Sequence, residues 1–75
     1  MTRFYLKFEE ADQIINFVKI ISQYDYEADV KYGSRVVDAK SIVGVLSLAR
    51  CKTVELILHT EDCGSLEERI APFAA

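Results

Sequence analysis

The sequence is short of cysteine, of basic residues and of long apolar runs, and each shortage excludes a class of protein. Two of its 75 residues are cysteines, Cys51 and Cys63, whereas a secreted domain of this size usually carries more, in pairs. We therefore expect a cytoplasmic protein with both thiols reduced, a disulfide being the less favoured alternative. Two cysteines and a single histidine fall short of the four ligands of a structural zinc site, so we expect no metal site.

No apolar run approaches the roughly 18 residues that a membrane-spanning helix needs. The first ten residues turn charged too soon for the apolar core of a signal peptide, so we expect none. Nine basic residues against twelve acidic ones give a net charge of −3, and the basic residues are scattered. Because binding to a nucleic-acid backbone needs a basic surface, we expect neither a nucleic-acid partner nor membrane insertion.

What the sequence does contain suffices for one domain. Hydrophobic residues make up 51% of the chain. A chain of this length buries roughly 60% of its unfolded surface, which leaves a small core. We find no internal repeat, low-complexity segment or linker, so the sequence predicts a single domain over residues 1–75 with no cofactor.

Hydrophobic periodicity predicts four strands and three helices. Apolar and polar residues alternate over residues 3–8, 26–32 and 53–59, as in half-buried strands, and residues 35–38 return from the turn as a short strand. Gly33-Ser34, with glycine first, favours a type II′ hairpin turn. Apolar residues recur at helical spacing over residues 11–22 and after Ser41. The order βαββαβα predicts an α+β open-faced sandwich, with helices on one face of a four-stranded antiparallel sheet.

The predicted first and last helices start near residues that can cap them. Asp12 is a candidate cap for the first helix. The core stripe of that helix comprises Ile14, Phe17, Val18 and Ile21. Ser65 and Glu68 have the spacing of a capping box for a short last helix, which Pro72 limits.

Ser41 is the most informative serine of the sequence. Its side-chain oxygen can cap the second predicted helix. The apolar stripe behind it comprises Ile42, Val45, Leu46 and Ala49. Val43 falls off this stripe beside Gly44, so we expect an exposed apolar side chain where a partner can dock.

Three stretches of the sequence are similar to one known family. Residues 40–48, KSIVGVLSL, give the strongest match. Residues 22–32, SQYDYEADVKY, and residues 17–19, FVK, match without gaps. Together they resemble HPr, the histidine-containing phosphocarrier of the bacterial sugar phosphotransferase system, almost ungapped over residues 17–59. The resemblance implies the HPr-like form of the predicted sandwich.

The resemblance fails at the loop before the first helix. Family members that carry phosphate have a glycine, the phosphorylated histidine, an arginine and a proline there. The corresponding residues 8–14, FEEADQI, are fewer and contain none of the four. Glu9, Glu10, Ala11 and Asp12 give this degenerate loop carboxylates, which repel a phosphoryl donor and suit the helix dipole. We therefore expect a divergent member of the family without phospho-histidine transfer. In lacking the active histidine it resembles the catabolite-repression HPr-like protein.

The resemblance implies two roles for the segment around Ser41. Ser41 aligns with the serine that a dedicated ATP-dependent kinase phosphorylates in HPr of low-GC Gram-positive bacteria, and Lys40 adds positive charge; the alternative is a helix cap and nothing more. Ile42, Val43 and Leu46 align with docking side chains; the alternative is an ordinary apolar surface. We expect a non-enzymatic regulatory or adaptor protein, whose partner is a kinase, a transcriptional regulator or an enzyme of sugar metabolism.

Two alternatives stay open. The chain can be a phosphocarrier with a non-standard acceptor, although its one histidine, His59, is predicted to be a solvent residue at a strand end. It can also be a self-associating structural module, since Ile15 and Ile20 widen the apolar face of the first helix beyond what one sheet needs. The expected state is therefore a monomer or a weak homo-oligomer.

Overall fold

A computed structural model describes residues 1–50 and 52–75. Along the chain the elements are β1 (Thr2–Lys7), α1 (Ala11–Ile21), β2 (Ala28–Tyr32), β3 (Arg35–Asp38), α2 (Ile42–Ala49), β4 (Thr53–Leu58), α3 (Leu66–Ile70) and a 3₁₀ turn, Ala71–Phe73. The order of strands and helices is the predicted one. The main difference in bounds is that β2 begins at Ala28, two residues later than the alternation indicates.

Within the described residues the four strands form a single antiparallel sheet in the order β1-β4-β2-β3. The register places Leu56 of the interior strand β4 opposite Phe4 of β1 and opposite Val30 of β2. Leu6, Val30 and Leu56 are buried, as the alternating pattern predicts for the face that the helices cover. The predicted α+β open-faced sandwich is confirmed.

Three phenylalanine rings join the elements in the core. The ring centroid of Phe8 lies 5.2 Å from that of Phe17 and 5.5 Å from that of Phe73. Phe73 belongs to the 3₁₀ turn, so this contact fixes the C-terminal segment against β1 and α1. There Ala75 N donates to Tyr5 O at 3.0 Å, beside a bridge between Leu6 and Ala74.

The prediction that Asp12 caps α1 is wrong. Glu10 is the cap residue, with an extended backbone at φ −133° and ψ 154°, and the helix begins at Ala11. The side chain of Gln13 supplies the acceptor instead: its Oε1 accepts from the backbone N–H of Glu9 at 2.6 Å and of Glu10 at 3.2 Å. Asp12 lies in the first turn, where its charge still complements the helix dipole.

The apolar stripe predicted on α2 is only partly buried. The buried residues are Val45, Leu48 and Ala49, whereas Leu46 is half-buried and Ile42 is exposed. Gly44 explains the orientation, because a Cβ built there would lie 3.3 Å from the Cβ of Val37 on β3. The helix approaches the sheet closely at this glycine, which directs Leu48 rather than Leu46 into the core.

The predicted capping box at the last helix is absent: Ser65 makes no side-chain cap hydrogen bond, and its hydroxyl pairs with Tyr24 instead. The predicted glycine-first hairpin fits the positive φ of 61° at Gly33. Cys63 is a free, half-buried thiol, while the prediction for Cys51 lies outside the described residues. In the described part of the chain, no helix combines the length and the apolar character needed to cross a membrane.

Candidate functional site on helix α2

The start of α2 is fixed by Ser41, as predicted. Its backbone is extended, and its Oγ accepts a hydrogen bond from Gly44 N at 3.1 Å. Ser41 N donates to Asp38 O at 3.0 Å, and Ser41 O accepts from Val45 N at 2.9 Å. These bonds satisfy backbone groups that the end of a helix leaves unpaired.

Lys40 lies beside Ser41, but its charge is directed toward the end of α1. The Nζ atom donates to the carbonyl oxygen of Tyr24 at 2.6 Å in a partly buried position. The backbone N–H of Lys40 donates to Asp38 Oδ1 at 2.9 Å. The ammonium group of Lys40 therefore links the start of α2 to the end of α1. The pattern of residues around Lys40 in the sequence does not predict this contact.

Next to Lys40 the helix exposes apolar side chains. Val43 is 79% exposed, Ile42 is 39% exposed and Leu46 is half-buried. Ile42 and Leu46 are four residues apart and lie one helical turn from each other on the same side. Lys40, Ile42, Val43 and Leu46 together are called the α2 surface below. The expected exposure of Val43 is confirmed. The orientation of α2 exposes Ile42 as well.

The chain segment that contains the α2 surface is basic within an acidic protein. Residues 31–52 carry five basic side chains and one acidic one, a net charge of +4. The remaining residues carry four basic and eleven acidic side chains, a net charge of −7, which together give the −3 of the whole chain. Arg50 follows α2, and Lys52 Nζ lies 4.8 Å from the ring centroid of Tyr32. The segment that contains α2 is thus the basic part of an acidic chain.

The degenerate loop lies next to the far end of α2. Phe8 forms a parallel bridge with Arg50, which brings Glu9 and Glu10 beside the residue that ends α2. Glu9, Glu10 and Asp12 are exposed, and Ala11 is half-buried. At this corner the backbone N–H groups of Glu9 and Glu10 already donate to the side chain of Gln13.

Gln13 is a site residue that sequence reasoning missed. The available signal was its position three residues after Glu10, which is the spacing of a capping box.

His59 lies apart from α2, just beyond the end of β4. Its Nε2 is 2.7 Å from Asp29 Oδ2, and both side chains are partly exposed, at 40% and 35%. His59 N donates to the backbone oxygen of Glu27 at 3.0 Å. The predicted position of His59, exposed to solvent at a strand end, is confirmed, and the imidazole in addition pairs with a carboxylate on β2. Among the described residues, no group of three or more possible metal ligands is found.

The fold is an open-faced α+β sandwich whose second helix carries a capping serine and exposed apolar residues. Two solved structures share this fold. HPr-C-His from Thermoanaerobacter tengcongensis superposes with a TM-score of 0.76 at 20% identity, covering 96% of this chain and 89% of that one. The phosphocarrier protein HPr from Bacillus anthracis superposes with a TM-score of 0.72 at 18% identity, covering 99% and 94%.

The family itself follows from the sequence. A family model described as the PTS HPr component phosphorylation site matches residues 10–70, which is most of the chain. The chain therefore belongs to the HPr family of the sugar phosphotransferase system. No curated protein matches the sequence significantly. Family and fold together support a phosphocarrier-like protein related to the phosphotransferase system, a family whose members are carriers rather than enzymes and interact with other proteins of that system.

Proposed function

We propose that this chain is an HPr-like adaptor without phospho-histidine carrier activity, which binds a protein partner through the α2 surface. Val43 carries the proposal, because it is an apolar side chain that is 79% exposed within a basic segment. Exposed apolar residues rimmed by polar ones are typical of interaction sites. The partner class proposed is a kinase, a transcriptional regulator or an enzyme of sugar metabolism, with an acidic surface around an apolar depression.

The loss of carrier activity is supported by the chemistry of the α1 start. A phosphorylated histidine needs an imidazole nitrogen as nucleophile and positive groups or free N–H donors that hold the phosphoryl oxygens. Residues 8–14 contain no histidine and no arginine. The N–H groups of Glu9 and Glu10 donate to Gln13 Oε1, so a phosphoryl group would have to displace that oxygen next to two carboxylates.

Regulation by phosphorylation of Ser41 is the second part of the proposal. Ser41 is exposed at the start of α2, where the dipole and the nearby N–H groups favour an anion. The hydroxyl accepts from Gly44 N at 3.1 Å, so phosphorylation would change the group that caps the helix and add negative charge next to Ile42 and Val43. We propose that this charge lowers the affinity for an acidic partner.

The carrier part is tested with enzyme I and labelled phosphoenolpyruvate. We expect no acid-labile label on this chain under conditions in which an HPr with the active histidine is fully labelled. Stable, acid-labile labelling would contradict the proposed loss of carrier activity.

The regulatory part is tested with HPr kinase and ATP. We expect one phosphate on Ser41, located by mass spectrometry, and none on the Ser41→Ala variant. Ser47→Ala, which changes an exposed serine of the same helix, is the control and keeps the phosphate. If the kinase labels true HPr but not this chain, regulation through Ser41 is excluded. The proposal is then reduced to the docking of a partner on the α2 surface.

The docking part is tested with two matched charge substitutions. Val43→Asp alters the α2 surface, whereas Val36→Asp alters an exposed valine of β3, 54% accessible, which is not part of the α2 surface. We expect Val43→Asp to lose the proteins that the wild-type chain retains from extracts of its host, and Val36→Asp to retain them. Equal retention by both variants would place the interface elsewhere.

A second candidate function is phosphocarrier activity with His59 as a non-standard acceptor. The observation that favours it is the 2.7 Å contact with Asp29, because a carboxylate that accepts from Nε2–H favours the tautomer with the lone pair on Nδ1. The acidic neighbours Glu27 and Asp29 oppose it by repelling a phosphoryl donor. The labelling experiment with enzyme I separates the two functions, since this candidate requires acid-labile label that His59→Gln abolishes.

A further inference from the structure

Tyr24 lies where α1, α2 and α3 meet, outside the α2 surface. Its backbone N–H donates to Ile21 O at 3.2 Å, and its carbonyl oxygen accepts from Lys40 Nζ at 2.6 Å. Its ring packs beside that of Tyr26, with centroids 5.5 Å apart and planes at 33°. The position of Tyr24 is therefore fixed by hydrogen bonds of its backbone and by the contact of its ring with Tyr26.

The phenol oxygen of Tyr24 meets two polar side chains of the α3 region. It lies 2.9 Å from Ser65 Oγ, and Arg69 Nη1 donates to it at 3.2 Å. Arg69 N also donates to Ser65 O at 3.3 Å, so both side chains come from one helical turn. The guanidinium carbon lies 5.7 Å from the Tyr24 ring centroid. The hydrogen bonds from Ser65 and then Arg69 hold the pKa of Tyr24 below its usual value, because both favour the phenolate.

We propose that Tyr24 is a phosphorylation site of this chain, and that Arg69 and Ser65 hold the phosphate on its phenol oxygen. The group added is a phosphoryl group from a nucleoside triphosphate, delivered by a tyrosine kinase. The Tyr24 oxygen attacks the γ-phosphorus, the bond between that phosphorus and the β,γ-bridging oxygen breaks, and the nucleoside diphosphate leaves. The phenol proton passes to a base of the kinase. This site does not depend on the proposed docking function.

The charges at the site suit the product of this reaction. A tyrosine phosphate carries a charge of about −1.5 to −2 and presents three acceptor oxygens. Arg69 and Ser65 already lie within hydrogen-bond distance of the oxygen to which the phosphate is attached. A guanidinium–phosphate contact is charge-assisted and stronger than the contact with the neutral phenol that it replaces. Phosphorylation would therefore tighten the contact between the end of α1 and α3.

The other tyrosines differ from Tyr24 in ways that make them controls. The Tyr26 phenol oxygen is buried and has no hydrogen-bond partner among the described residues, and burial raises its pKa. Tyr5 is 63% exposed on β1, and the Tyr32 ring lies under Lys52 Nζ. Of these, Tyr24 combines an accessible oxygen with a guanidinium donor at hydrogen-bond distance.

The first experiment measures whether the site holds the phosphate. Phosphotyrosine is placed at position 24 of the full chain, and at position 5 as the control, and each phosphate is titrated by phosphorus NMR. At position 24 we expect the second phosphate pKa to be lower by about one unit, the effect of a nearby opposite charge. Arg69→Gln is expected to remove the difference and Arg69→Lys to keep part of it. Identical titration at both positions overturns the proposal.

The second experiment measures which tyrosine accepts phosphate. The wild-type chain is incubated with labelled ATP and the catalytic domain of a bacterial tyrosine kinase, and the label is located by mass spectrometry. We expect label on Tyr24, loss of label in Tyr24→Phe, and unchanged label in Tyr5→Phe and Tyr26→Phe. Circular dichroism checks that each variant is folded. Label on other tyrosines, or none on Tyr24, overturns the proposal.

Discussion

Individual side chains of this protein hold the ends of its helices in place. Lys40 bonds the carbonyl of Tyr24, Gln13 bonds the backbone of Glu9 and Glu10, and Ser41 bonds Gly44. In a domain of this size, where stability is roughly 0.05–0.15 kcal/mol per residue, each such contact is a measurable share of the total.

At the residue scale, Ser41→Ala should weaken the start of α2. Loss of a side-chain cap costs about 1 kcal/mol, because Gly44 N–H is then left without its acceptor. The free energy of unfolding from urea denaturation measures the effect. Ser47→Ala serves as control, because Ser47 Oγ bonds Gly44 O inside the helix, where alanine is the better helix former, so we expect no loss. Equal losses in both variants would contradict the capping role.

The pair Tyr24 and Tyr26 should titrate on opposite sides of the usual tyrosine range. Ser65 and Arg69 lower the pKa of Tyr24, whereas burial raises the pKa of Tyr26. Phenolate absorbance of Tyr24→Phe and Tyr26→Phe, compared with the wild type, measures each. We expect Tyr24→Phe to remove the early part of the titration and Tyr26→Phe the late part. The reverse assignment would contradict the contacts described.

The raised pKa of Tyr26 also predicts how stability depends on pH. The folded state favours the neutral phenol, so the contribution is complete below the usual tyrosine pKa of about 10 and is lost as pH rises through the folded pKa. Urea denaturation on the alkaline side of pH 10 should therefore show a fall in the free energy of unfolding that is smaller in Tyr26→Phe. An unchanged fall in that variant would show that other groups cause it.

At the scale of elements, the sequence predicted which segments are strands and helices and which side of α1 is buried, but not how α2 is rotated. Ile42, Val45, Leu46 and Ala49 have ideal helical spacing, yet Leu48 is buried and Ile42 is exposed. The orientation of α2 depends on the close approach of Gly44 to Val37, a contact between residues of different elements that periodicity does not contain.

Helix starts were predicted only where the cap is local. The Ser41 cap was predicted correctly because the Ser41 Oγ accepts from Gly44 N, only three residues later in the sequence. Ser65 was predicted wrongly because Tyr24, more than forty residues away in sequence, takes its hydroxyl. The exposure of Val43 was predicted because Val43 lies off the apolar stripe of the helix, whereas the Lys40–Tyr24 bond and the His59–Asp29 pair depend on the tertiary fold.

Also at the element scale, the C-terminal turn should act as an anchor. Phe73→Ala removes a ring that contacts Phe8 and Phe17, and a buried phenylalanine truncated to alanine costs about 3 kcal/mol. Tyr5→Ala removes an exposed aromatic ring from β1 and should cost less than about 1 kcal/mol. Urea denaturation of both variants measures the difference, and similar losses would show that the turn is not an anchor.

For the whole molecule, the distribution of apolar surface bears on its oligomeric state. Ile20 packs against the core and Ile15 is half-buried, so the apolar face of α1 is largely used within the monomer. Exposed apolar residues lie together on α2, at Ile42 and Val43, whereas Tyr5 lies on β1. Two adjacent side chains make a small patch compared with the roughly 800 Å² per partner of a stable interface.

We therefore expect a monomer. Sedimentation velocity over a wide concentration range should give one species with the mass of a single 8.5 kDa chain. A sedimentation coefficient that rises with concentration would favour the self-associating alternative, and loss of that rise in Val43→Asp would place the contact on the α2 surface.

The position of β4 between β1 and β2 has a consequence for synthesis on the ribosome. β1 emerges first, yet its neighbour in the sheet, β4, begins at Thr53. Until residues 53–58 have been made and are free to fold, β1 has no pairing strand, and Phe4 and Leu6 are uncovered. The sheet can therefore be completed only after its last strand is available, and chaperones that recognise apolar nascent segments have that interval in which to bind.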